Sequence, residues 1–290
     1  MAPINRTHPR HPIVPAMALS IVTLMLAQCD RASDHQAASP PVKAPEAQKP
    51  VIPPSPHPVA ALSRAELVAA AAQAASAYAQ GMTSTGTDPL VGRSFAVRIP
   101  FGCSGPSVAG EGAENGLAGW SWGPDQKTIE IRLTPGDWTT SALMPQSGEA
   151  AGSAAQAWET VEGFWVPRPW LGAEACPKVP GDPLQTLSAT SPQTLGIAAV
   201  FQSGGSRIGR RNGRAYSFTI RGQGDQPVSP PAEGYRLILE GRIVGFPNGR
   251  AVRCLASGPD HRPVCVVATQ LDKVAFEDAA GGVLSVWQSS

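Results

Sequence analysis

The chain contains 290 residues, of which 42% are hydrophobic and 16% are charged, and its formal net charge at pH 7 is +1. A net charge so close to zero disfavours general nucleic-acid binding, which requires a strongly basic domain. The sequence contains neither a P-loop nor a dinucleotide-binding glycine fingerprint, so it indicates no nucleotide cofactor.

The chain begins with the pattern of a secretory signal. Arg6 and Arg10 supply positive charge, and residues 13–27, which follow them, are mostly apolar. This apolar run is shorter than the roughly 20 residues that a permanent membrane-spanning helix requires. Residues 1–28 are therefore predicted to be a signal peptide.

The last four residues of this region, Leu26-Ala27-Gln28-Cys29, resemble the lipobox of bacterial lipoproteins. In that family signal peptidase cuts before the cysteine, which becomes diacylated. The resemblance implies that Cys29 carries the lipid and anchors the protein to a membrane of the bacterial cell envelope, facing the periplasm or the exterior. Gln28 departs from the Gly, Ala or Ser that usually precedes the cut. Ordinary secretion and an uncleaved anchor are the alternatives.

With Cys29 assigned to lipid, four cysteines remain: Cys103, Cys176, Cys254 and Cys265. An even set in an exported protein predicts disulfide bonds, with three possible connectivities. Cys254 and Cys265 flank the turn Gly258-Pro259-Asp260, and a hairpin there would place them opposite each other. The prediction is therefore that Cys254 pairs with Cys265 and Cys103 with Cys176. No spacing is C-x-x-C, which disfavours zinc ribbons and thioredoxin-like redox centres.

Residues 29–62 contain eight prolines and almost no large apolar side chains. Such a segment cannot bury enough surface to offset the entropy of ordering it. Proline-rich chain favours extended conformations of about 3.1 Å per residue. The segment is therefore predicted to be a disordered tether that holds a folded domain away from a membrane. A tail without a spacer role is equally compatible if Cys29 carries no lipid.

Residues 63–81 are predicted to form a helix. Ser63 and Glu66 have the spacing of a capping box, and Leu62 and Leu67 occupy the positions of a hydrophobic staple. Gly81 stands where a helix-terminating glycine is expected. Leu67, Ala71, Ala74 and Tyr78 would share one helix face, which is predicted to pack against the domain that follows.

Beyond the helix, short segments in which apolar residues are spaced two apart alternate with turn signals such as Asn248-Gly249. No helical crossover pattern separates them. They predict a mainly β fold, with the helix followed by an antiparallel sandwich or barrel. The predicted strands are residues 95–99, 129–133, 195–201, 214–220, 235–246, 264–269 and 283–287.

The two halves of the predicted β region differ in charge. Residues 81–190 contain six basic and eleven acidic side chains, whereas residues 191–290 contain eleven basic and seven acidic ones. The difference favours two subdomains, an acidic and tryptophan-rich one at 82–190 and a basic one at 191–290. A single sheet system with oppositely charged ends would have the same composition.

The residues offer few candidates for catalysis. Only His261, of five histidines, lies in the predicted folded part, which excludes a multi-histidine metal site and leaves one candidate for a Ser-His-Asp triad. Residues 119–123 match G-x-S-x-G, but a turn and an alternating segment follow Ser121 where a nucleophile elbow needs a helix. An aromatic strand is predicted there. The sequence predicts no catalytic residue and no metal site.

Two clusters are candidates for binding. Residues 163–171 place Trp165, Arg168 and Trp170 among prolines, which could form a platform for sugar rings or for a proline-rich or peptide ligand. The alternative is that these tryptophans belong to the core, with Trp165 the more buried and Trp170 the more exposed. The second cluster, which includes Arg210 and Arg211, is predicted to be the tip of a basic hairpin that could contact phosphate-bearing lipid head groups or an acidic polymer.

The sequence therefore predicts an exported, lipid-anchored bacterial envelope protein with a binding or structural role rather than a catalytic one. Its expected partners are a membrane, through the lipid anchor, and an envelope polymer or envelope protein, but not nucleic acid. The alternative is a cell-wall or glycan hydrolase that uses paired carboxylates. The candidate carboxylates are Glu111, Glu114, Glu159 and Glu162.

Overall fold

The computed structural model describes residues 59–82, 87–107, 115–145, 158–178, 194–202, 216–222, 224 and 227–288. All of them belong to one compact unit, His57–Ser290. One helix precedes a series of strands, so the predicted mainly β fold with an N-terminal helix is confirmed. The elements are α1 Arg64–Ala79, β1 Ser94–Phe101, β2 Ala118–Trp122, β3 Thr128–Leu133, β4 Gly136–Asp137, β5 Trp158–Trp165, β6 Leu195–Gln202, β7 Tyr216–Arg221, β8 Tyr235–Ile243, β9 Val252–Leu255, β10 Val264–Asp278 and β11 Val283–Gln288.

The ends of α1 have the predicted caps. The backbone N–H of Ser63 donates to Oε2 of Glu66 at 2.7 Å, and Oγ of Ser63 accepts from the backbone N–H of Glu66 at 3.4 Å. Gly81 follows the helix with a φ of +66°, a left-handed conformation that glycine adopts without strain. Among the described residues, no helix has the length and apolar character needed to cross a membrane.

The buried face of α1 differs from the predicted one at its ends. Leu67 and Ala71 are buried as expected, together with Arg64, whereas Tyr78 is 41% exposed. The hydroxyl of Tyr78 instead accepts a hydrogen bond from the backbone N–H of Ala256 at 3.2 Å. The C-terminal turns of α1 therefore lie over a loop rather than over the core, and its N-terminal turns are the ones embedded in the domain.

The large sheet is organised around β10, its longest strand. In the first half of β10, β6 pairs in parallel along one edge and β9 pairs antiparallel along the other. In the second half, β8 and β11 pair antiparallel with the two edges. The other strands extend the sheet outward in the order β1-β8-β10-β6-β5-β4.

A second sheet of three antiparallel strands has the order β2-β3-β7. The side chains of Ile129, Ile131 and Leu133 on β3 are fully buried and belong to the same core as Phe95 and Val97 on β1. Within the described residues the two sheets pack together without closing into a barrel, so the predicted sandwich is confirmed and the barrel is wrong. The pairing is antiparallel except between β6 and β10, where two strands distant in sequence run side by side.

The large sheet buries both of its faces. Cys265 and Val267 of β10 point toward α1 and the small sheet, where the larger apolar core lies. Val266 and Ala268 point to the opposite face, into a second core that includes Trp138 and other apolar residues. This alternation follows from the two-residue period of a strand.

β5 is not among the predicted strands, because Gly163 interrupts its apolar alternation. A Cβ atom at Gly163, or at Gly196 on the neighbouring β6, would overlap the ring of Trp138. The two glycines therefore leave the space that the Trp138 indole occupies over the sheet. The sequence shows the glycine but not the distant ring that requires it.

Strands from the two predicted subdomains pair with each other. β1 pairs with β8, β5 with β6, and β3 with β7. Both sheets therefore contain strands from residues 82–190 and from residues 191–290, which is the single sheet system that the charge distribution also allowed.

The structure confirms the predicted disulfide pairing. Cys103 and Cys176 are bonded with their Cα atoms 5.4 Å apart, and Cys254 and Cys265 are bonded with their Cα atoms 4.0 Å apart. Cys254 and Cys265 are directly opposite each other on β9 and β10, as the hairpin argument requires. Two disulfides indicate an oxidising, extracytoplasmic compartment.

Removal of either disulfide should lower the free energy of unfolding. The Cys103–Cys176 bond joins residues 73 apart and the Cys254–Cys265 bond joins residues 11 apart. Because loop-closure entropy grows with loop length, the Cys103→Ala, Cys176→Ala variant should lose about 4 kcal/mol and the Cys254→Ala, Cys265→Ala variant about 3 kcal/mol. Urea unfolding of both variants measures the difference. A larger loss from the short bridge would contradict the loop-entropy account.

Candidate functional site

A buried arginine joins α1 to the loop that follows β5. Arg64 is the first residue of α1 and is only 1% exposed. Its Nε donates to the carbonyl oxygen of Leu171 at 3.0 Å, and its Nη2 donates to those of Pro167 and Arg168 at 2.9 and 3.3 Å. The planar guanidinium carries enough donors to serve several acceptors at once. Residues 167–171, which we call the Trp170 loop, are thereby tied to the helix.

The position of Arg64 is electrostatically unfavourable apart from these hydrogen bonds. Burial, and secondly the positive charge of Arg168, lower the pKa of its guanidinium to about 10, while the carboxylate of Glu174 opposes both effects. The N-terminus of a helix also carries partial positive charge, which repels a cation. Since a pKa of about 10 is still well above 7, the guanidinium of Arg64 is charged at neutral pH. The three carbonyl oxygens therefore offset part of the cost of burying the charge, and Nη1 of Arg64 is buried without a hydrogen-bond partner among the described residues.

The Trp170 loop has an uncommon backbone conformation. Arg168 has a φ of +52°, in the left-handed region, which costs a non-glycine residue about 1–2 kcal/mol. The backbone N–H of Leu171 donates to the carbonyl oxygen of Arg168 at 2.9 Å and closes a tight turn. Arg64 donates to carbonyls on both sides of this turn, so it stabilises the strained residue. The turn presents Trp170 outward with 60% of its surface exposed.

A groove lies between α1 and the Trp170 loop. Its volume is about 390 Å³, within the roughly 300–1,000 Å³ range of small-molecule sites. Six residues of α1 that share one helix face form its floor, and the rest of the lining comes from the Trp170 loop and from the starts of β6 and β10. We call it the helix groove; its lining residues are Val68, Ala71, Ala72, Ala75, Ser76, Ala79, Pro169, Trp170, Thr194, Leu195, Arg262, Pro263 and Cys265.

Arg64 lies on the same face of α1 as the groove floor. Positions 64, 68, 71, 75 and 79 follow each other at intervals of three or four residues, which superimposes them along a helix. The hydrogen bonds of Arg64 therefore fix the loop that carries Pro169 and Trp170 against the helix that supplies the floor. The groove depends on this contact for its shape.

The described residues that line the groove are mostly apolar, and a single one of them is charged. Four alanines and one valine cover most of the floor, and Ser76 and Thr194 add hydroxyl groups. Arg262 is the one charged residue among the lining residues, and it is exposed. The groove therefore combines apolar surface with a positive charge at its edge.

The structure separates Trp165 from Trp170. Phe164 and Val166 point into the core beneath α1, and Trp165, between them in sequence, points to the other face of the sheet. There Trp165 packs against Trp138 with ring centroids 4.7 Å apart. Trp170 lies on the α1 side. Of the predicted tryptophan cluster, only Arg168 and Trp170 remain together, with Arg168 partly exposed.

Several predicted residues lie outside the described residues. These include Arg210 and Arg211, together with the signal peptide, Cys29 and most of the tether. The strands that flank the basic segment, β6 and β7, do not pair with each other and belong to different sheets. Residues 203–215, which connect these two strands, lie outside the described residues, so the basic hairpin tip stays a prediction.

The catalytic serine pattern lies in an ordinary strand. Ser121 is in β2, opposite Glu130 of β3, and a short turn of residues Pro124–Gln126 connects the two strands. Only this three-residue 3-10 turn and then β3 follow the serine, so its hydroxyl lacks the α-helix N-terminus of a nucleophile elbow. His261 is exposed in the turn between β9 and β10. Within the described ranges, no group of three His, Cys, Asp or Glu side chains is arranged to hold a metal ion.

Two of the four candidate carboxylates lie among the described residues. Glu111 and Glu114 lie outside the described residues, while Glu159 and Glu162 are both on β5. Glu162 is directly opposite Asp137 of β4, an acidic pair across adjacent strands. Hydrogen bonds from the side chain and backbone of Thr139 lower the pKa of Asp137. The general acid of a glycosidase pair needs a raised pKa, so Asp137 does not fit that role, and its hydrogen bonds with Thr139 stabilise the turn after β4.

The sequence analysis missed the two arginines that define the groove. Arg64 occupies a helix position that is usually solvated, and its acceptor Pro167 is 103 residues away. Arg262 follows His261 in a turn and carries no motif. The alanine-rich face of α1 is visible in the sequence, but the pattern predicts packing against the domain rather than a groove. The parallel pairing of β6 with β10 brings Arg262, just before β10, next to the start of β6, and both line the groove with α1.

Comparison of the chain with protein-family models, with curated proteins and with solved structures gave no significant match. Function is therefore inferred from the residues and their geometry.

Replacement of Arg64 should destabilise the fold. In Arg64→Met three partly buried carbonyls lose their donor, and we expect the free energy of unfolding to fall by about 2–4 kcal/mol. The loss for Arg64→Lys should lie between zero and that for Arg64→Met, since the three N–H donors of lysine share one nitrogen and cannot reproduce the separated Nε and Nη2 donors of the guanidinium. Arg132→Met, at an exposed ion pair on β3, is the control and should change stability by less than about 1 kcal/mol. Urea unfolding tests this; equal effects of Arg64→Met and Arg132→Met would contradict the structural role of Arg64.

Proposed function

We propose that this is an exported, lipid-anchored bacterial envelope protein whose folded part binds an envelope component. The two disulfides support an extracytoplasmic location. The lipobox-like residues ending at Cys29 support the anchor. The partners are a membrane, through the lipid, and an envelope polymer or envelope protein, through the folded part.

The exposure of Trp170 on a fixed loop is the observation that carries the binding role. A tryptophan that only stabilises a core is buried, whereas Trp170 is 60% exposed. It lies beside an apolar groove rather than alone on the surface. Arg64 and the turn at Arg168 hold its backbone in place, so little entropy is lost when a ligand contacts the ring. An ordered aromatic ring beside a groove is typical of a binding site.

The anchor is tested by Cys29→Ala. Cells that express the unsubstituted protein should incorporate labelled fatty acid into it, and it should sediment with membranes. Cys29→Ala should lose the label and release the protein. Formation of the two disulfide bonds, measured in both proteins, shows whether each protein has folded. Failure of the unsubstituted protein to take up label would contradict the anchor, and Gln28 would then be the reason.

The binding surface is tested by Arg168→Ala combined with Trp170→Ala, in the Cys29→Ala background so that lipid does not contribute. Retention on isolated cell-wall or outer-membrane material should fall about tenfold, the effect of losing contacts worth about 1.4 kcal/mol. The thermal midpoint should change little, because Trp170 is mostly exposed.

Lys127→Ala provides the control, since that side chain is 79% exposed on the small sheet, away from the groove. It should leave both retention and the thermal midpoint unchanged. A large fall in the midpoint of the double variant with unchanged retention would show that the Trp170 loop is structural only.

A further inference from the structure

The floor of the helix groove is long, narrow and apolar. It extends from Val68 to Ala79, a distance of about 16 Å at 1.5 Å per residue. Because most floor residues are alanines, no branched side chain divides it. The ring of Trp170 adds a flat apolar surface at its side. This shape fits an unbranched apolar chain laid along the helix.

The floor also offers few hydrogen-bonding groups. The backbone N–H and C=O groups within a helix bond to each other, so α1 presents no free backbone to a ligand. A sugar ring or an extended peptide would have polar groups along the groove that the hydroxyls of Ser76 and Thr194 alone could not satisfy. An apolar chain has no such requirement.

The positive charge of Arg262 at the groove indicates which end group a bound apolar chain would carry. Among the described lining residues Arg262 is the only charged one, and it makes no ion pair with any described residue. Asp260 is near in sequence, but it is not part of the lining. A guanidinium binds carboxylate and phosphate groups through paired hydrogen bonds. An anionic end group is therefore complementary to this edge of the groove.

We propose that the helix groove binds a single-chain anionic amphiphile, with its apolar chain along α1 and beside Trp170 and its carboxylate or phosphate at Arg262. The inference rests on the proposed binding function and names the ligand class of the same site. No bond is made or broken in this role.

The full chain carrying Cys29→Ala, which has no lipid of its own, is titrated by calorimetry with octanoate, decanoate and dodecanoate below their micellar concentrations. Affinity should rise by about two- to fourfold for each CH₂ that the groove buries. Dodecyl phosphate compared with dodecanoate distinguishes the two anionic end groups. Dodecyltrimethylammonium, with the same chain and opposite charge, should bind at least tenfold more weakly than both.

Two matched substitutions on α1 locate the site. Ala72 is exposed and lines the groove, whereas Ala69 is exposed on the same helix and does not. Ala72→Trp should fill the groove and reduce dodecanoate affinity at least tenfold, while Ala69→Trp leaves it unchanged. Arg262→Gln should remove the preference for the anionic end group. Thermal midpoints verify that the variants are folded.

Equal binding of the cationic and anionic chains, or equal binding by Ala72→Trp and Ala69→Trp, would overturn the proposal. So would a synthetic peptide of residues 40–58 that binds the groove when dodecanoate does not, which would assign it to the protein's own proline-rich segment. If no amphiphile binds but envelope retention still depends on Trp170, the ligand class is wrong and the proposed binding function stands. If neither binding nor retention is observed, both fail.

Discussion

The contact between Arg64 and the three carbonyls of the Trp170 loop is the interaction on which the helix groove, the proposed binding site, depends. It joins the first turn of α1 to a loop more than a hundred residues away. A buried charge is costly unless it is hydrogen-bonded, so the helix and the loop cannot separate without exposing or stranding the guanidinium and its acceptors. An apolar contact in the same place would permit sliding. The directional donors fix both the distance and the orientation of the two walls.

Other constraints bring the same segments together. β10 pairs with β6 beside the groove, where Cys265 lies opposite Leu195 and both residues belong to the lining. The Cys254–Cys265 disulfide joins β9 to that end of β10. The Trp170 loop follows β5 and is succeeded by Cys176, whose bond to Cys103 ties the chain beyond the loop to the end of β1. The groove is thus bordered by sheet pairing and by crosslinks on the sides that the described residues form.

The parts of the structure that follow local rules could be predicted from sequence. Ser63 and Glu66 cap α1 because a hydroxyl and a carboxylate at that spacing satisfy the same helix end in most proteins. The cysteine pairing followed from one turn, since opposite residues on a hairpin meet regardless of the rest of the fold. The separation of Trp165 from Trp170, the different sheets of β6 and β7 and the burial of Arg64 depend on contacts between distant segments. No local pattern encodes those contacts, so the groove was visible only in part, as an alanine-rich helix and an aromatic cluster.

The most direct test of the helix groove as the binding site is ¹⁹F NMR of the protein with its seven tryptophans replaced by 5-fluorotryptophan. Trp170→Phe identifies the resonance of Trp170, and Trp120 and Trp138 are internal references because both are buried in the two cores. Addition of an extracted envelope lipid fraction should shift the Trp170 resonance saturably and leave those of Trp120 and Trp138 in place. An unchanged Trp170 resonance, or equal shifts of all three, would contradict a binding site at the groove.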